Sequence, residues 1–589
     1  MPVGTMASDQ ELSAEQRSAL ALNVRLIEAC PGSGKTRAIV QRYKMRADES
    51  ARGVALLSFT NAAIDEATKR CSDRPDLLRA PHFVGTFDTF LHRYIVTPNQ
   101  AGSLGRAPTY LQSWNELPPE IRTLRAGEVW QRISLANFAH DCQGEVRLLT
   151  AGLKDDERRA YESLASDEGR VNLLHLGADK IRGFNAGGVY DSDSARWKAL
   201  DILRGEEGPV LLARLARRFS DVIVDEFQDC AALEHELLEL LSGRGIRITV
   251  VADPDQAIFA FRQAEPRLYA DYRSTILAAD IVTFATNYRS SPVICELVQQ
   301  LGIGSLAGMV SARGEEDGLP SSIYLLGGTV DKVRSRFLEL ADEWQILLGE
   351  RVALAHRGND ARSLAAGGVA PPDSDSRMAE LLRSLAILRS SGSALIRRRA
   401  LGVIERAFTG VFAWTSKQNE FDSAQKLELL GKDRLWVRSI VGEILSGSAE
   451  WANADSAGKL IRGVLKKYLK GLPIEIDGDL GKKFARPSAE LWAYWCDAGA
   501  GRDRTVAVSW STIHASKGRE YDAVLLKVPD AAIMSSWLAG KESEERRVFY
   551  VGASRSKKLL VLAVAAGRLS EVKKQLEGLP LTIVAERLR

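Results

Sequence analysis

A glycine-rich segment near the amino terminus has the residue types and spacing of a phosphate-binding loop. It follows a short apolar run at 24–29, a candidate strand, and precedes a segment with helical spacing at 36–47. Backbone N–H groups of such a loop can surround phosphate oxygens because glycine permits the required conformations. A lysine adds a point charge for the terminal phosphates of a nucleotide, and a threonine hydroxyl can bind Mg²⁺. The loop consists of Ala29, Cys30, Pro31, Gly32, Ser33, Gly34, Lys35 and Thr36, with Ala29 where the strict pattern has glycine.

Two adjacent acidic residues, Asp225 and Glu226, end a second apolar run, VIVDE. Nucleotide hydrolysis needs a carboxylate that binds Mg²⁺ and a group that positions or deprotonates the attacking water. We expect Asp225 to join Thr36 as a metal ligand and Glu226 to act on the water. The chain therefore carries the parts of a nucleotide-hydrolysing site on two separate segments.

The phosphate loop and the acidic pair can meet only if the strands that precede them end at the same edge of a sheet. The sequence pattern predicts such a sheet. Apolar runs at 54–59 and 246–252 alternate with helical patterns at 61–71 and 231–241, which is typical of a parallel sheet with helices on both faces. Strand patterns return at 281–284, 322–326, 351–356, 505–512, 523–528 and 559–564.

Two long stretches between the strand patterns are mainly helical. We therefore predict an α/β protein with two parallel-sheet cores, each interrupted by a helical insertion. The predicted parts are the first core (1–94 and 216–280), the first insertion (95–215), the second core (281–376 and 498–589) and the second insertion (377–497).

Composition excludes several classes of protein. The chain has 589 residues, 45% of them hydrophobic, and 79 Lys+Arg against 76 Asp+Glu leave a formal charge of +3. This is a globular composition, and no stretch approaches the roughly 20 apolar residues of a membrane span. Six cysteines form no C-x-x-C pair, and the amino terminus has no secretory pattern, so we expect a cytoplasmic protein without membrane partners. The small net charge does not itself indicate nucleic-acid binding.

Eight short motifs, in order, resemble those of the UvrD/Rep-type superfamily 1 helicases. The match covers nearly the whole chain, which makes it far more specific than any one motif. The motifs are LSAEQRSAL (12–20), LLSFTNAAIDEATKR (56–70), VGTFDTFLHR (84–93), VDEFQD (224–229), VADPDQAIFAFRQA (251–264), TNYRSS (286–291), STIHASKGREYDAVLL (511–526) and EERRVFYVGASRS (544–556), in addition to the phosphate loop.

The resemblance implies two RecA-like cores and assigns roles to residues around ATP. Gln16 would read the adenine, Tyr288 and Arg37 would flank it, and Glu520 would approach the ribose. Gln256 would sense the γ-phosphate, and Arg289 and Arg555 would reach it from the second core. The implied catalytic residues are Lys35, Asp225, Glu226, Gln256, Arg289 and Arg555.

The resemblance also implies contacts to a single strand, made by aromatic side chains that stack on bases and by small polar groups that hold phosphates. The family usually has Tyr and Trp at the positions of Phe259 and Phe261, and His at the position of Asp88. Both phenylalanines also suit a buried strand, so a core role stays open. The implied contacts are Phe59, Thr60, Asn61, Thr86, Phe259, Phe261, Arg262 and His514.

From this resemblance we expect an ATP-dependent single-stranded DNA translocase or helicase with 3′–5′ polarity, which binds single strands and junctions of single-stranded and duplex DNA. The alternative is a DNA-stimulated ATPase subunit that senses DNA ends and licenses a partner nuclease, as in anti-phage defence. RNA is not excluded by residue type. The basic run at 397–399 fits either a duplex contact or a solvated helix face. The small size of the cysteine side chain explains the presence of Cys30 in the phosphate loop better than redox regulation does.

Overall fold

A computed structural model describes most of the chain, which divides into two compact units. Described residues up to 117, at 121–364 and from 508 onward form the first unit, and those at 118–120 and 365–507 form the second. The described ranges are 12–125, 132–164, 167–258, 266–302, 308–314, 317–366, 376–390, 394–415, 418, 421–499, 508–528 and 543–588.

The amino-terminal segment supplies three strands and four helices of the first core. The first helix starts with a capping box, in which the side chains of Ser13 and Gln16 each accept a hydrogen bond from the other's backbone N–H. The strands are mostly apolar because helices cover both of their faces. The elements are α1 (Ala14–Ser18), β1 (Leu26–Ala29), α2 (Lys35–Glu49), β2 (Gly53–Ser58), α3 (Asn61–Arg70), β3 (Phe83–Thr86) and α4 (Phe87–Leu91).

The first insertion contains helices, as predicted, and also six short strands that were not predicted. These strands have two or three residues each and form three two-stranded ladders. Such lengths are too short for a two-residue periodicity to be visible in a sequence. The elements are α5 (Thr97–Leu104), β4 (Thr109–Tyr110), α6 (Pro119–Arg122), β5 (Thr123–Arg125), β6 (Arg132–Ser134), β7 (Phe138–His140), β8 (Val146–Leu148), α7 (Asp155–Glu162), α8 (Asp167–Ala186), β9 (Val189–Tyr190), α9 (Ser192–Arg204) and α10 (Gly208–Arg218).

Three further strands complete the first sheet, whose order is β12-β1-β11-β10-β2-β3 with every pair parallel. Residues 281–284, assigned to the second core from sequence, pair with β1 and therefore belong to this sheet. The elements are β10 (Phe219–Val224), α11 (Ala232–Ser242), β11 (Arg247–Ala252), α12 (Pro266–Ser274) and β12 (Ile281–Phe284).

The first sheet is covered on both faces. Leu26, Leu57 and Val222 pack into one buried apolar cluster. Their alternates along the strands, including Ile27 and Ile223, pack into another. Because successive side chains of a strand point to opposite faces, the two clusters lie on opposite sides of the sheet.

The next segment begins the second core. A short parallel pair, β13 with β14, precedes the first two long strands. The elements are β13 (Thr286–Asn287), α13 (Pro292–Leu301), β14 (Val310–Ser311), β15 (Ile323–Gly327), α14 (Val330–Glu343), β16 (Arg351–Ala355) and α15 (Gly358–Ala366).

The second unit is helical and has its own apolar core, which includes Phe408, Ile440 and Ile461. An isolated antiparallel bridge joins Phe412 to Ile476. The helices are α16 (Arg377–Ser390), α17 (Ala394–Thr409), α18 (Ser423–Leu429), α19 (Arg434–Gly447), α20 (Ala454–Leu469), α21 (Leu480–Lys483) and α22 (Ala489–Gly499).

The carboxyl-terminal segment completes a second six-stranded sheet, in which every pair is parallel and the order is β17-β16-β18-β19-β15-β20. The predicted fold class, two parallel α/β cores with mainly helical insertions, is confirmed; the domain boundaries other than the one corrected above stay a prediction. Among the helices that the structure describes, none is both long and apolar enough to cross a membrane. The elements are β17 (Ser509–Thr512), β18 (Tyr521–Lys527), α23 (Glu544–Ala553), β19 (Ser556–Val564), α24 (Leu569–Leu576) and β20 (Ile583–Arg587).

Candidate functional site

A cleft of about 570 Å³ lies where the strands of the first sheet end, and residues of both cores line it. The phosphate loop follows β1, and the acidic pair follows β10. Parallel α/β sheets bind ligands at this edge because their loops converge there. From the first core the lining includes Gly32, Lys35, Thr36, Arg37, Asp225, Glu226 and Gln256, and from the second core Tyr288, Arg289, Lys517, Glu520 and Arg555.

The phosphate loop has the backbone conformation that its glycines predict. Gly32 and Gly34 have φ of 72° and 77°, in the left-handed region that favours glycine. Gly34 caps α2, so the N–H groups of the first helical turn face the cleft. The ammonium of Lys35 lies 4.0 Å from Oδ2 of the buried Asp253 and 3.4 Å from the carbonyl oxygen of Ala29. This is a cradle for phosphate oxygens.

The acidic pair lies opposite the loop. Asp225 is buried, and its Oδ1 accepts the N–H of Glu226 at 3.0 Å. Glu226 has φ of 57°, unusual for a residue with a side chain, and such strain concentrates at functional sites. Burial and the neighbouring Glu226 raise the pKa of Asp225 to about 7. Burial acts in the same direction on Glu226, but Lys517 and Lys35 outweigh it and lower the pKa of Glu226 to about 2.

Lys517, from the second core, enters the first core beside the acidic pair. Its ammonium lies 2.6 Å from Oδ2 of Asp229 and 3.5 Å from Oε2 of Glu226, and it donates to the carbonyl oxygen of Gln256 at 2.9 Å. The side chain is 2% exposed. A buried cation at such distances holds nearby carboxylates ionised.

Two arginines of the second core approach the same point. The buried Arg555 donates from Nη2 to Oε1 of Gln256 at 2.9 Å and from Nε to the carbonyl oxygen of Val551 at 3.0 Å. Burial, reinforced by Arg289, lowers the pKa of Arg555 to about 10. Arg289 donates to the carbonyl oxygen of Ser554 and therefore lies next to Arg555. The structure thus brings both predicted arginines and Gln256 together across the two cores.

Of the residues expected around the base and sugar, Arg37, Tyr288 and Glu520 line the cleft, and Gln16 contacts the phosphate loop. Gln16 donates from Nε2 to the carbonyl oxygen of Ser33 at 2.8 Å. Glu520 pairs with Arg289, at 3.0 Å between Oε2 and Nε. The ring of Tyr288 is 45% exposed. Arg37 is half-buried and lines the cleft. Their roles toward adenine and ribose stay predictions.

Five of the eight predicted strand contacts lie in the described part of the chain. Thr60 and Thr86 cap α3 and α4 through their hydroxyl oxygens, and Thr60 also lines the nucleotide cleft. Asn61 is exposed at the start of α3. Phe59 is half-buried, and its ring stacks on Phe87 at a centroid distance of 5.4 Å.

His514 connects the second core to the first. Its Nε2 lies 3.2 Å from the carbonyl oxygen of Ile258. Burial and the nearby His356 lower the pKa of His514 to about 4, so the ring is neutral at physiological pH. The predicted contacts Phe259, Phe261 and Arg262 lie outside the described residues.

Asp88, where the family usually has His, forms a partly buried charge network. Arg196 of the first insertion donates from Nε to Asp88 Oδ1 at 2.7 Å and lies 2.9 Å from Oε1 of Glu234. The acidic residue therefore joins the first insertion to the first core. Burial raises the pKa of Asp88, but Arg196 outweighs this effect and leaves that pKa below its usual value.

Several residues of the cleft were not singled out from the sequence. Lys517 and Asp253 lie inside recognised motifs, and Arg313 follows β14 and lines the cleft with no motif around it. The place of Lys517 inside the motif STIHASKG is the one signal that could have pointed to it. Arg313 carries no comparable signal.

The donor set of the cleft fits Mg²⁺. Asp225 is a buried carboxylate next to a second one, and the hydroxyl-bearing Thr36 lines the same cleft. Mg²⁺ binds oxygen ligands of this kind. A divalent cation would also offset the repulsion that raises the pKa of Asp225.

Two family models match the chain. The UvrD/REP helicase N-terminal domain matches residues 12–276, and the UvrD-like helicase C-terminal domain matches residues 499–567. The first match contains the phosphate loop and the acidic pair, and the second contains Lys517 and Arg555. The matched segments therefore supply both sides of the cleft.

Curated proteins with similar sequences have helicase names. DNA helicase II of Escherichia coli (strain K12) is 22% identical, over 95% of this chain and 85% of that protein. ATP-dependent DNA helicase UvrD2 of Mycobacterium tuberculosis (strain ATCC 25618 / H37Rv) is 28% identical, over 60% of this chain and 49% of that protein. ATP-dependent DNA helicase Rep of Salmonella typhimurium is 26% identical, over 49% of this chain and 45% of that protein.

Proposed function

The chain belongs to the UvrD/Rep family of superfamily 1 helicases, and from this premise we propose that it is an ATP-dependent motor that moves along single-stranded DNA and separates strands at junctions. The observation that carries the proposal is the hydrogen bond from Arg555 of the second core to Gln256 of the first, beside the phosphate loop. It makes one nucleotide site out of two cores.

The residues of the cleft have separable tasks in ATP hydrolysis. Lys35 and the loop N–H groups bind phosphate oxygens, while Asp225 and Thr36 would hold Mg²⁺. The ion, when bound, supplies positive charge for the terminal phosphates. Glu226, ionised because Lys517 and Lys35 lower its pKa, accepts a hydrogen bond from the attacking water and orients it. Arg289 and Arg555 stabilise charge on the oxygens being transferred.

Movement follows from dividing this site between two cores. Arg555 and Lys517 lie on the second core, whereas Lys35 and Glu226 lie on the first. Binding of ATP favours the arrangement in which these groups converge, and release of product removes that preference. Each cycle would therefore close and open the cores around the strand-binding residues Thr60 and His514.

The first test measures ATP hydrolysis with and without single-stranded oligonucleotides. We expect DNA to stimulate turnover, and Lys35→Ala and Glu226→Gln to abolish or severely reduce it. Lys44→Ala is the matched control, because Lys44 lies on the same helix, α2, and pairs with Asp73 at the surface. Turnover that does not change with DNA would contradict the motor proposal.

A second test addresses polarity and strand separation. The resemblance supports 3′–5′ movement, so a duplex with only a 3′ single-stranded tail should be unwound and one with only a 5′ tail should not. Unwinding from the 5′ tail alone would overturn the assigned polarity. DNA-stimulated hydrolysis without displacement from either tail would favour the alternative function, an ATPase that licenses a partner nuclease.

A further inference from the structure

A tryptophan of the second core is exposed beside a predicted strand contact. Trp510 lies on β17, the edge strand of the second sheet, and its side chain is 45% exposed. Trp is usually well buried because its ring is the largest apolar surface among the side chains. An edge strand also tends to carry charged residues rather than a bare aromatic ring. Trp510 therefore needs a reason to be at the surface.

The local backbone leaves this ring accessible. Trp510 pairs with Ala353 of β16, which is too small to cover it. Gly358, at the start of α15, lies against the ring: a Cβ atom built there would be 3.9 Å from Cζ3 of Trp510 and 3.6 Å from Cγ2 of Thr512. The indole thus rests on small residues at the edge of the sheet.

The surroundings of Trp510 have the residue types of a nucleic-acid surface. Thr512 is two residues further along β17 and shares its face, since strand side chains alternate. His514 follows and reaches the carbonyl oxygen of Ile258 in the first core. His356 and Arg357, which follow β16, are exposed at the same carboxyl edge. The His356 and His514 rings are 5.3 Å apart.

From this geometry we propose that Trp510 is a base-stacking residue for single-stranded DNA and forms a stacking subsite on the second core, four residues before the predicted strand contact His514. The proposal rests on the proposed function and adds to it a contact that none of the motifs assigns. It places an aromatic platform on the core that moves relative to the phosphate loop.

The chemistry favours a single strand over other occupants. Bases in a duplex already stack on one another, whereas an unpaired base exposes a face that an indole can cover. Arg357, exposed just after β16, offers a guanidinium that can bind a phosphate of the same strand. A surface that bound an apolar protein segment would have a broader patch than one ring flanked by histidine, arginine and threonine.

The experiment compares Trp510→Ala and Trp510→Phe with the wild-type chain. The matched control is Leu347→Ala, because Leu347 is a 75% exposed apolar residue of the same core, before the amino-terminal end of β16. Binding of a labelled oligothymidylate is measured by anisotropy, together with the oligonucleotide concentration that half-maximally stimulates ATP hydrolysis. A second oligonucleotide of equal length has abasic sites throughout and offers phosphates without bases.

We expect Trp510→Ala to raise both half-saturation values for oligothymidylate by roughly 5- to 150-fold. Trp510→Phe should restore most of the affinity, and ATP hydrolysis without DNA should equal that of the wild type. Binding of the abasic oligonucleotide should not change, because no base is present to stack. Iodouracil placed in the oligonucleotide should photocrosslink to Trp510.

Two results would overturn the proposal. One is unchanged affinity of Trp510→Ala in a chain whose wild-type ATPase responds to DNA, which would leave the proposed function intact. The other is an equal loss on oligothymidylate and on the abasic strand, which would assign the ring to folding of β17. If the wild-type chain neither binds DNA nor responds to it, the proposed function fails first and this subsite fails with it.

Discussion

Lys517 and Asp229 form a buried ion pair between the two cores, with 2.6 Å between Nζ and Oδ2 and both side chains 2% exposed. The same ammonium lies 3.5 Å from the carboxylate of Glu226. One cation of the second core therefore neutralises two carboxylates of the first core. The contact links the geometry of the hydrolytic site to the closeness of the cores.

Removing this cation should destabilise the first unit and impair hydrolysis. Lys517→Ala removes the ion-pair partner of the buried Asp229 and one of the two lysines that lower the pKa of Glu226. Breaking one partner of a buried pair costs about 3–5 kcal/mol. We expect a lower urea midpoint and strongly reduced ATP hydrolysis. Lys198→Ala is the control, because Lys198 pairs with Asp201 at the surface and should cost less than about 1 kcal/mol. Equal losses in the two variants would refute the special role of Lys517.

Replacing Arg555 by lysine should reduce turnover much more than nucleotide binding. Lysine keeps the charge but lacks the planar guanidinium with which Arg555 donates from Nη2 to Gln256 and from Nε to the carbonyl oxygen of Val551. Arginines that stabilise phosphoryl transfer contribute about 10³- to 10⁵-fold to kcat, so we expect a loss of at least about 10³-fold. Steady-state hydrolysis at saturating DNA gives kcat and KM separately.

The control for this variant is Arg568→Lys, because Arg568 pairs with Glu571 at the surface of the second core. It should leave both constants unchanged. A large rise in KM with kcat preserved for Arg555→Lys would mean that Arg555 binds ATP without stabilising the reacting phosphate.

Much of the first core could be predicted from local patterns. The apolar run at 54–59 corresponds to strand β2 (Gly53–Ser58), and the run at 246–252 corresponds to strand β11 (Arg247–Ala252). Both strands are buried on two faces, so nearly every residue carries the apolar signal. The phosphate loop was equally visible because its glycines are required by a local conformation.

The remainder depends on contacts that leave no local signal. Lys517 and Asp229 are 288 residues apart in the chain, so neither predicts the other. The strand at 281–284 would be apolar in either sheet. Only its pairing with β1, which forms during folding, assigns it to the first sheet. The exposure of Trp510 depends on Gly358 and Ala353, which meet it only after the second sheet has formed.

A methyl group at Gly32 should disrupt the contact between the phosphate loop and the second core. Gly32 has φ of 72°, and a Cβ atom there would lie 2.6 Å from both Cβ of Arg289 and Oδ1 of Asn287. Gly32→Ala should therefore abolish hydrolysis and lower the melting temperature, measured by activity and calorimetry. Gly183→Ala is the control, since a Cβ at Gly183 in α8 meets nothing within 4 Å and should be neutral or stabilising by about 0.5–1 kcal/mol. Full activity of Gly32→Ala would show that Arg289 need not approach the loop.

Histidines whose Nε2 atoms are buried should make the first core sensitive to mild acid. Burial lowers the pKa of His235 to about 4, and burial also lowers the pKa of His92 to about 4. Among the described atoms, Nε2 of His235 has no hydrogen-bond partner, and the ring lies 4.6 Å from that of Phe227. An unfolded histidine has a pKa of about 6.5, so the unfolded chain binds more protons below that pH. These histidines therefore cost no stability above about pH 6.5, and their protonation lowers the stability of the fold as the pH falls toward 4.

Replacing His235 by phenylalanine should remove part of this acid sensitivity. Phenylalanine does not titrate, so the unfolded variant gains no proton at this position. Between pH 7.5 and pH 5 its free energy of unfolding should therefore fall by roughly 1–2 kcal/mol less than that of the wild type. Thermal melts at both pH values, with the exposed His175→Phe as control, measure the difference. Identical pH dependence of His235→Phe and the wild type would mean that His235 is protonated without cost in the folded core.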